Sequence, residues 1–386
     1  MGSLAKRLER AISAKVKLRD AMASRLDEAS LRRAESDPHA RRRPRPCGLT
    51  IHPAIGCTRG CLYCYVPSVL KWGRTSRVDV ELSDLMPEEL ALALLANPYF
   101  LPGPEGTLLA VGSVTDPFLD ERVTSRTLSY LRAIRDVLGN PVQVATKSVL
   151  SGEELEELRR SAEPRTSVLV TVISLRLARV LEPRAPPPME RLEFLGRLAE
   201  AGLSPALFMR PLLPGVPSEE LREIMRICSE KGVRDVVLGS LQVDGEILAK
   251  LRAAPRIAAE VERRVGPTGP GLSPIRAPEL KTKAARLAEE LDLRAHPASC
   301  SASVSSHGLS CARCRMGPCG VGCPPPIEED DAREALEVLG LEVVEVRAGE
   351  HLEALIKGER SRARLDVLEE LIETIARRRA RLRLLS

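Results

Sequence analysis

The sequence predicts an α/β protein built on a partial (β/α)6 barrel, with a basic helical extension before it and a cysteine-rich module after it. Three observations carry this. Six short apolar runs alternate with helix-period segments between residues 48 and 253. Their apolar character is continuous, as suits parallel strands buried on both faces. The Gly/Pro-rich stretch 263–279 then reads as the exit from that domain. An open doubly wound sheet is the alternative, because periodicity does not specify strand order.

Residues 1–46 form the extension and carry 13 Lys+Arg against 6 Asp+Glu, ending in RRRPRP. The barrel is placed at 47–262, with strands GLTIHPAI (48–55), TLLAVGSV (107–114), VQVATKS (142–148), SVLVTVIS (167–174), SPALFMRP (204–211) and RDVVLGSL (234–241). Helical stretches PEELALALLA, SRTLSYLRAIRDVL, GEELEELRR, MERLEFLGRLAEAG, SEELREIMRICSEKG and GEILAKLRAA separate or follow them. Several open on a cap residue or Pro and close on Gly, as from Ser218 to Gly232. Residues 263–326 are a linker and cysteine-rich module. Residues 327–386 are a small α/β segment whose closing helix is rich in arginine, with RRRARLR at 377–383.

At 386 residues and 44% hydrophobic, the chain is long and apolar enough to bury a large core. No run of 18 apolar residues is present, so no membrane partner is expected. The N-terminus lacks the apolar middle of a signal peptide, which points to the cytoplasm. Ten cysteines in a reducing compartment point to metal or redox chemistry rather than disulfides. The basic runs are solvated faces or a nucleic-acid contact. No aromatics interleave with them, which argues against a base-stacking platform.

The stretch GCTRGCLYCYV (56–66) puts Cys57, Cys61 and Cys64 directly after the first strand, with Tyr63 and Tyr65 around the last. A loop with this C-x3-C-x2-C spacing lets three thiolates meet three irons of a [4Fe–4S] cluster and leaves the fourth iron for a small molecule. A closed zinc site wants four protein ligands, and His52 is the only near candidate. Three buried thiols or a zinc knuckle are the structural alternatives.

This loop resembles the signature of the radical SAM superfamily, and its flanks resemble the spore photoproduct lyase-like branch. The resemblance covers residues 48–253 and implies a TIM-type partial barrel. It also implies that Cys57, Cys61 and Cys64 hold a [4Fe–4S] cluster that binds S-adenosylmethionine. That cofactor is then cleaved reductively to methionine and a 5′-deoxyadenosyl radical, which abstracts hydrogen from substrate. Tyr63 would pack by the adenine. In GSVTDPFLDERVTSRTL (112–128), Thr115 takes the hydroxyl position that approaches the cofactor, with Asp116 beside it. In ATKS (145–148), Lys147 would hold the cofactor carboxylate, for which an ammonium is a suitable point charge. Ser174, Glu182 and Arg191 are further pocket candidates, although Arg191 also fits an ordinary helix surface. FMRPLLPGV (208–216) puts Arg210 at a strand's C-terminal end.

One departure stands out. Where the lyase has a hydrogen-donating cysteine, this chain has Ser113, also read as near the cofactor. Cys47 or Cys228 would have to replace that thiol. Cys228 lies in an amphipathic helix pattern that suits core packing, and Cys47 has no evident place.

The segment CSASVSSHGLSCARCRMGPCGVGC holds a second group. Cys311, Cys314, Cys319 and Cys323 supply four thiolates, enough for an auxiliary [4Fe–4S] cluster or a zinc ion. Cys300 and His307 are spare donors, and unliganded cysteines are the remaining reading. The spacing is close to the SPASM tail of radical SAM enzymes, with a middle gap one residue shorter. His39, His296 and His351 lack partners that suggest catalysis, and Trp72 and Met225 read as packing residues.

The expected function is therefore radical SAM chemistry, first on nucleic acid, supplied with electrons by a ferredoxin or flavodoxin. The rivals are radical modification of a peptide or protein, and a non-catalytic, metal-stabilised nucleic-acid-binding protein.

Overall fold

The computed structural model describes residues 2–45, 47–70, 79–266, 271–358 and 361–385; Trp72 lies outside them. Seven parallel strands form the main sheet: β1 (Leu49–Ile51), β2 (Leu109–Val111), β3 (Val142–Thr146), β4 (Ser167–Thr171), β5 (Ser204–Leu212), β6 (Asp235–Ser240) and β7 (Arg294–His296). Each pairs with the next in chain order, and among the described residues β1 and β7 are the edges, which makes the barrel partial. The six expected strands are all present. The seventh is a correction: the sheet continues past residue 262 and past the Gly/Pro stretch, so that stretch is a detour within the domain rather than its exit. β7 has only three residues and is RAH in sequence, too short and polar to show an apolar run.

Strand interiors explain the sheet. Leu109, Val111, Val144, Val168, Val170, Leu207, Val236 and Leu238 join one core with the covering helices, while Leu169, Ala206 and Val237 point to the other face. That inner face is filled partly by Ala302 of α9 (Ser299–Ser306), a helix of small residues that packs against β3, β4 and β6. Its neighbour His307 accepts from the backbone N–H of Val142 at the start of β3 (3.3 Å). The helix thus closes the end of the barrel where strands begin.

The outer helices follow their sequence signals. Among them are α3 (Pro87–Ala96), α5 (Gly152–Ser161), α6 (Pro188–Glu200) and α7 (Ser218–Glu230). Ser151 and Glu154 form a reciprocal capping box at the start of α5, satisfying two orphan amides. Met225 and Cys228 are core residues, as their pattern suggested, and burial pushes the Cys228 thiol up to about 12.

The two termini meet. β8 (Glu342–Arg347), β9 (His351–Lys357) and β10 (Arg379–Leu384) form a separate sheet covered by α10 (Glu329–Val338) and α11 (Arg362–Ala376). Leu4, Ala5 and Leu8 of α1 (Leu4–Ala23) are buried in that core. The Asp331 carboxylate accepts from the backbone N–H groups of Leu4 (2.6 Å) and Ala5 (3.0 Å), taking up free donors at the start of α1. The arginine-rich stretch is mainly strand β10, not a closing helix, and it is not wholly solvated. Arg377 and Arg378 are buried. Arg378 donates to the carbonyls of Pro324, Pro325 and Glu350, clamping the chain that leaves the cysteine-rich segment.

Candidate active site

The C-terminal ends of the strands surround a cavity of about 550 Å³, within the usual range for a cofactor or substrate. Cys57, Cys61 and Cys64 all line it, together with Tyr63, Ser113, Thr115, Asp116, Lys147 and Arg210. The cysteine loop leaves β1 through Gly56, whose φ is +103°; a Cβ there would lie 2.2 Å from the Asp79 carbonyl oxygen, so only glycine fits. The loop is tied down by Leu62 N–H to Leu181 O (2.9 Å) and Arg184 N–H to Arg59 O (3.3 Å). Among the described residues, no three His, Cys, Asp or Glu side chains already close on a common point as a metal site. The three thiols share one cavity without being drawn together.

Asp116 is the organiser of this rim. Its carboxylate accepts from Thr146 Oγ1 (2.6 Å), Ser148 Oγ (3.1 Å), the backbone N–H of Phe118 (3.2 Å) and Lys147 (3.1 Å), and Arg59 Nε (3.3 Å). One carboxylate thereby joins the ends of β2 and β3 to the cysteine loop. With so many donors satisfied, its part is positioning. Arg59, which sequence reasoning missed, also donates to Ser148 Oγ (2.5 Å) and Arg184 O (3.0 Å). The available signal was its place between Cys57 and Cys61.

Behind the cavity lies a buried charge network. Tyr63 donates to Glu182, and the Glu182 carboxylate also faces Arg191 (2.7 Å) and Lys147 Nζ (3.9 Å). Arg191 donates to Thr171 O at 2.6 Å and is fully buried, so it is no helix-surface arginine. Burial pushes the Tyr63 hydroxyl well above its ordinary value, and the Glu182 charge adds to this, so Tyr63 stays protonated as a donor. Burial alone would lower Lys147, but the negative field of Cys61, Glu182 and Asp116 outweighs it and raises its pKa. Lys147 is therefore a fixed cation, and its Nζ sits 5.5 Å from the Tyr63 ring centroid. Burial pushes the Cys61 thiol up to about 12 and raises Cys57 as well. Both become good ligands only once a metal replaces the proton.

The remaining expectations divide. Ser113 lines the cavity, and its buried hydroxyl has no partner. Thr115 is buried on the same wall. Arg210 reaches the cavity because the facing residue on β6 is Gly239; a Cβ there would lie 2.3 Å from Arg210 Cγ. Ser174 is a correction: it lies outside the cavity lining, and its hydroxyl donates to Glu220 (2.5 Å). Glu220 also takes the Leu175 and Arg176 amides, so this serine shapes the turn after β4. His52 is half-buried and bonded to Thr50 (3.1 Å), also away from the cavity. Neither Cys47 nor Cys228 is among the described residues that line the cavity, whose thiols there are the loop's three.

A parallel barrel with its thiol loop at the strand ends defines an enzyme of the partial-barrel class. Residues 51–228 match the family model described as the radical SAM superfamily, so that stretch carries a radical SAM domain. Among curated proteins, the chain is 29% identical over 206 residues to the uncharacterized protein ORF301 of Acidianus two-tailed virus, covering 50% of this chain and 67% of that one. It is 22% identical over 206 residues to the uncharacterized protein Rv2578c of Mycobacterium tuberculosis, covering 52% and 60%. A solved spore photoproduct lyase with bound AdoMet and dinucleoside spore photoproduct shares its fold, with a TM-score of 0.52 at 17% identity over 64% of this chain and 74% of that one.

The residues fit the implied group. Three thiols, a fixed ammonium and an orphaned buried hydroxyl, that of Ser113, line the same cavity.

Proposed function

We propose that this enzyme holds a [4Fe–4S] cluster on Cys57, Cys61 and Cys64, binds S-adenosylmethionine beside it, and acts on an anionic substrate, nucleic acid first among them. The observation that carries the reading is the convergence of three thiols and Lys147 on one cavity at the strand C-termini. When bound, the cluster and cofactor supply reductive cleavage of the sulfonium and hydrogen-atom abstraction from substrate.

The chain's own residues have separable tasks. Lys147 offers a positive charge to the cofactor carboxylate, and Glu182 and Arg191 keep that charge and Tyr63 in place. Ser113 has a hydroxyl free to donate or accept. Asp116 and Arg59 hold the loop against the barrel rim.

Charge favours nucleic acid over a peptide. Arg45, Arg59, Lys147 and Arg210 line the cavity against the single carboxylate of Asp116. Among the described residues, Arg45 and Arg210 make no ion pair, which leaves both for phosphate. The reading places the enzyme in the cytoplasm, fed by a ferredoxin or flavodoxin. No helix among the described residues is long and apolar enough to cross a membrane. A second metal on the cysteine-rich segment belongs to the same reading.

The test is anaerobic reconstitution with iron and sulfide, then dithionite and S-adenosylmethionine. Formation of 5′-deoxyadenosine, lost in Cys61→Ala, is expected. A fully loaded cluster that yields none overturns the proposal.

A further inference from the structure

Beyond the cysteine-rich segment, where Cys314 and Cys323 are exposed and Cys311 faces Cys319 across a two-residue ribbon, the chain forms the sheet β8–β9–β10. One face of this sheet is apolar: Val346, Leu352, Ala354, Ile356, Ala380 and Leu382 share a core with α10 and α11. Alternation along β10 puts Arg379, Arg381 and Arg383 on the other face, where all three are exposed. In parallel register they lie beside His351, Glu353 and Leu355 of β9.

Among the described residues, none of these three guanidinium groups makes a hydrogen bond or an ion pair. The acids of the same face are mostly engaged elsewhere: Glu345 pairs with Arg347 (2.7 Å) and Glu342 with Lys357 (2.6 Å). Glu353 stands between Arg347 and Arg381 in the register and closes on neither. A two-residue step along a parallel strand is about 6.6 Å, inside the roughly 8 Å over which charges act unscreened at physiological salt. The three cations therefore repel one another, and folding gains nothing from the row. A polyanion whose charges recur along a line relieves it.

Two observations narrow the partner. The outer edge of β10 is closed, because the Ala380 and Leu382 N–H groups donate to the Glu373 (3.0 Å) and Glu369 (2.7 Å) carboxylates of α11. A peptide adding as a further strand would find those donors taken. No Phe, Trp or Tyr occurs in β8, β9 or β10, so the face offers no ring for the base stacking that holds a single strand.

We propose that Arg379, Arg381 and Arg383 dock the phosphate backbone of a nucleic-acid duplex, outside the cavity and without reading its sequence. Guanidinium forks match phosphate oxygens, and backbone contacts position a protein on a duplex without specifying bases. None of the three is among the residues that line the cavity. The proposal rests on the nucleic-acid reading above and adds to it a second point of attachment.

The test is binding of the full chain to a labelled DNA duplex across a salt series. The triple variant Arg379→Gln, Arg381→Gln, Arg383→Gln is expected to shrink the log–log slope by about 2.7, and Arg381→Gln alone by about 0.9, one phosphate per arginine. Lys6→Gln, Arg10→Gln and Lys17→Gln together remove the same charge from exposed positions of α1 and are expected to leave the slope unchanged. An RNA duplex that binds more tightly, with the same loss in the triple variant, supports the proposal and names the source of the backbone. A slope unmoved by the triple variant, or an equal fall in the α1 variant, would overturn it. So would binding to phosphatidylserine vesicles that the triple variant loses while keeping the duplex. If the stripe fails while Arg45→Ala and Arg210→Ala still weaken binding, the docking surface falls and the nucleic-acid reading of the cavity stands.

Discussion

Glu182 shows how one side chain orders a site it does not enter. It is 2% exposed and answers a tyrosine, an arginine and a lysine at once. Removing one partner of such a buried pair leaves the other charge uncompensated. Arg191→Met is therefore expected to cost about 3–5 kcal/mol, read by urea unfolding; an unchanged midpoint would show that the pair carries no net stabilisation. These residues fell within a stretch legible as the barrel's fourth unit. Their connection was not legible, since Tyr63 and Glu182 are 119 positions apart. Arg59 was hidden differently, as a charged residue inside a motif whose cysteines took the attention.

Between elements, two strand contacts decide geometry. Gly239 on β6 leaves the channel through which Arg210 of β5 reaches the cavity. Gly239→Ala would drive a methyl into that side chain, at a typical overpacking cost of about 1–3 kcal/mol. Binding of an anionic substrate is expected to weaken along with stability. Calorimetry that finds binding undiminished would remove Arg210 from the site. The second contact joins β6 to the seventh strand. Asp235 accepts from Arg294 (2.9 Å) and pairs with His296 (2.7 Å), whose other ring nitrogen meets Ser301 of α9. Burial alone would raise the Asp235 carboxyl, but these two partners outweigh it and hold it below the ordinary range. A carboxyl more acidic folded than unfolded contributes above its unfolded pKa, near 4, and that contribution is lost as pH falls through the folded value. Asp235→Asn is thus expected to lower stability at neutral pH and to flatten the acid limb of a stability–pH profile. An acid limb identical to that of the parent would refute the role.

For the whole molecule, charge and closure matter most. The positive cavity predicts salt-sensitive nucleic-acid binding. The log–log slope for a single strand should shrink by about 0.7 for each phosphate contact removed, through Arg45→Ala or Arg210→Ala in turn. A slope unmoved by both changes would turn the assignment towards a neutral peptide substrate. Closure comes from the ends of the chain. The extension supplies α1 to the C-terminal core, and the basic run ending in RRRPRP is partly spent on structure, with Arg42 donating to Thr50 O (2.8 Å) and Arg43 pairing with Asp366 (3.1 Å). Residues 2–45 are thus a strap rather than a free tail.

The sequence by itself determined the strand–helix alternation, its six apolar strands and the thiol loop, because apolar runs, cap residues and close cysteine spacing are local signals. Only the tertiary structure decided the strand order, the seventh strand, the buried Glu182 network and the exclusion of Ser174. Each of these rests on contacts between positions far apart in the chain, where short polar segments and buried charges gain their meaning from partners that no spacing rule connects.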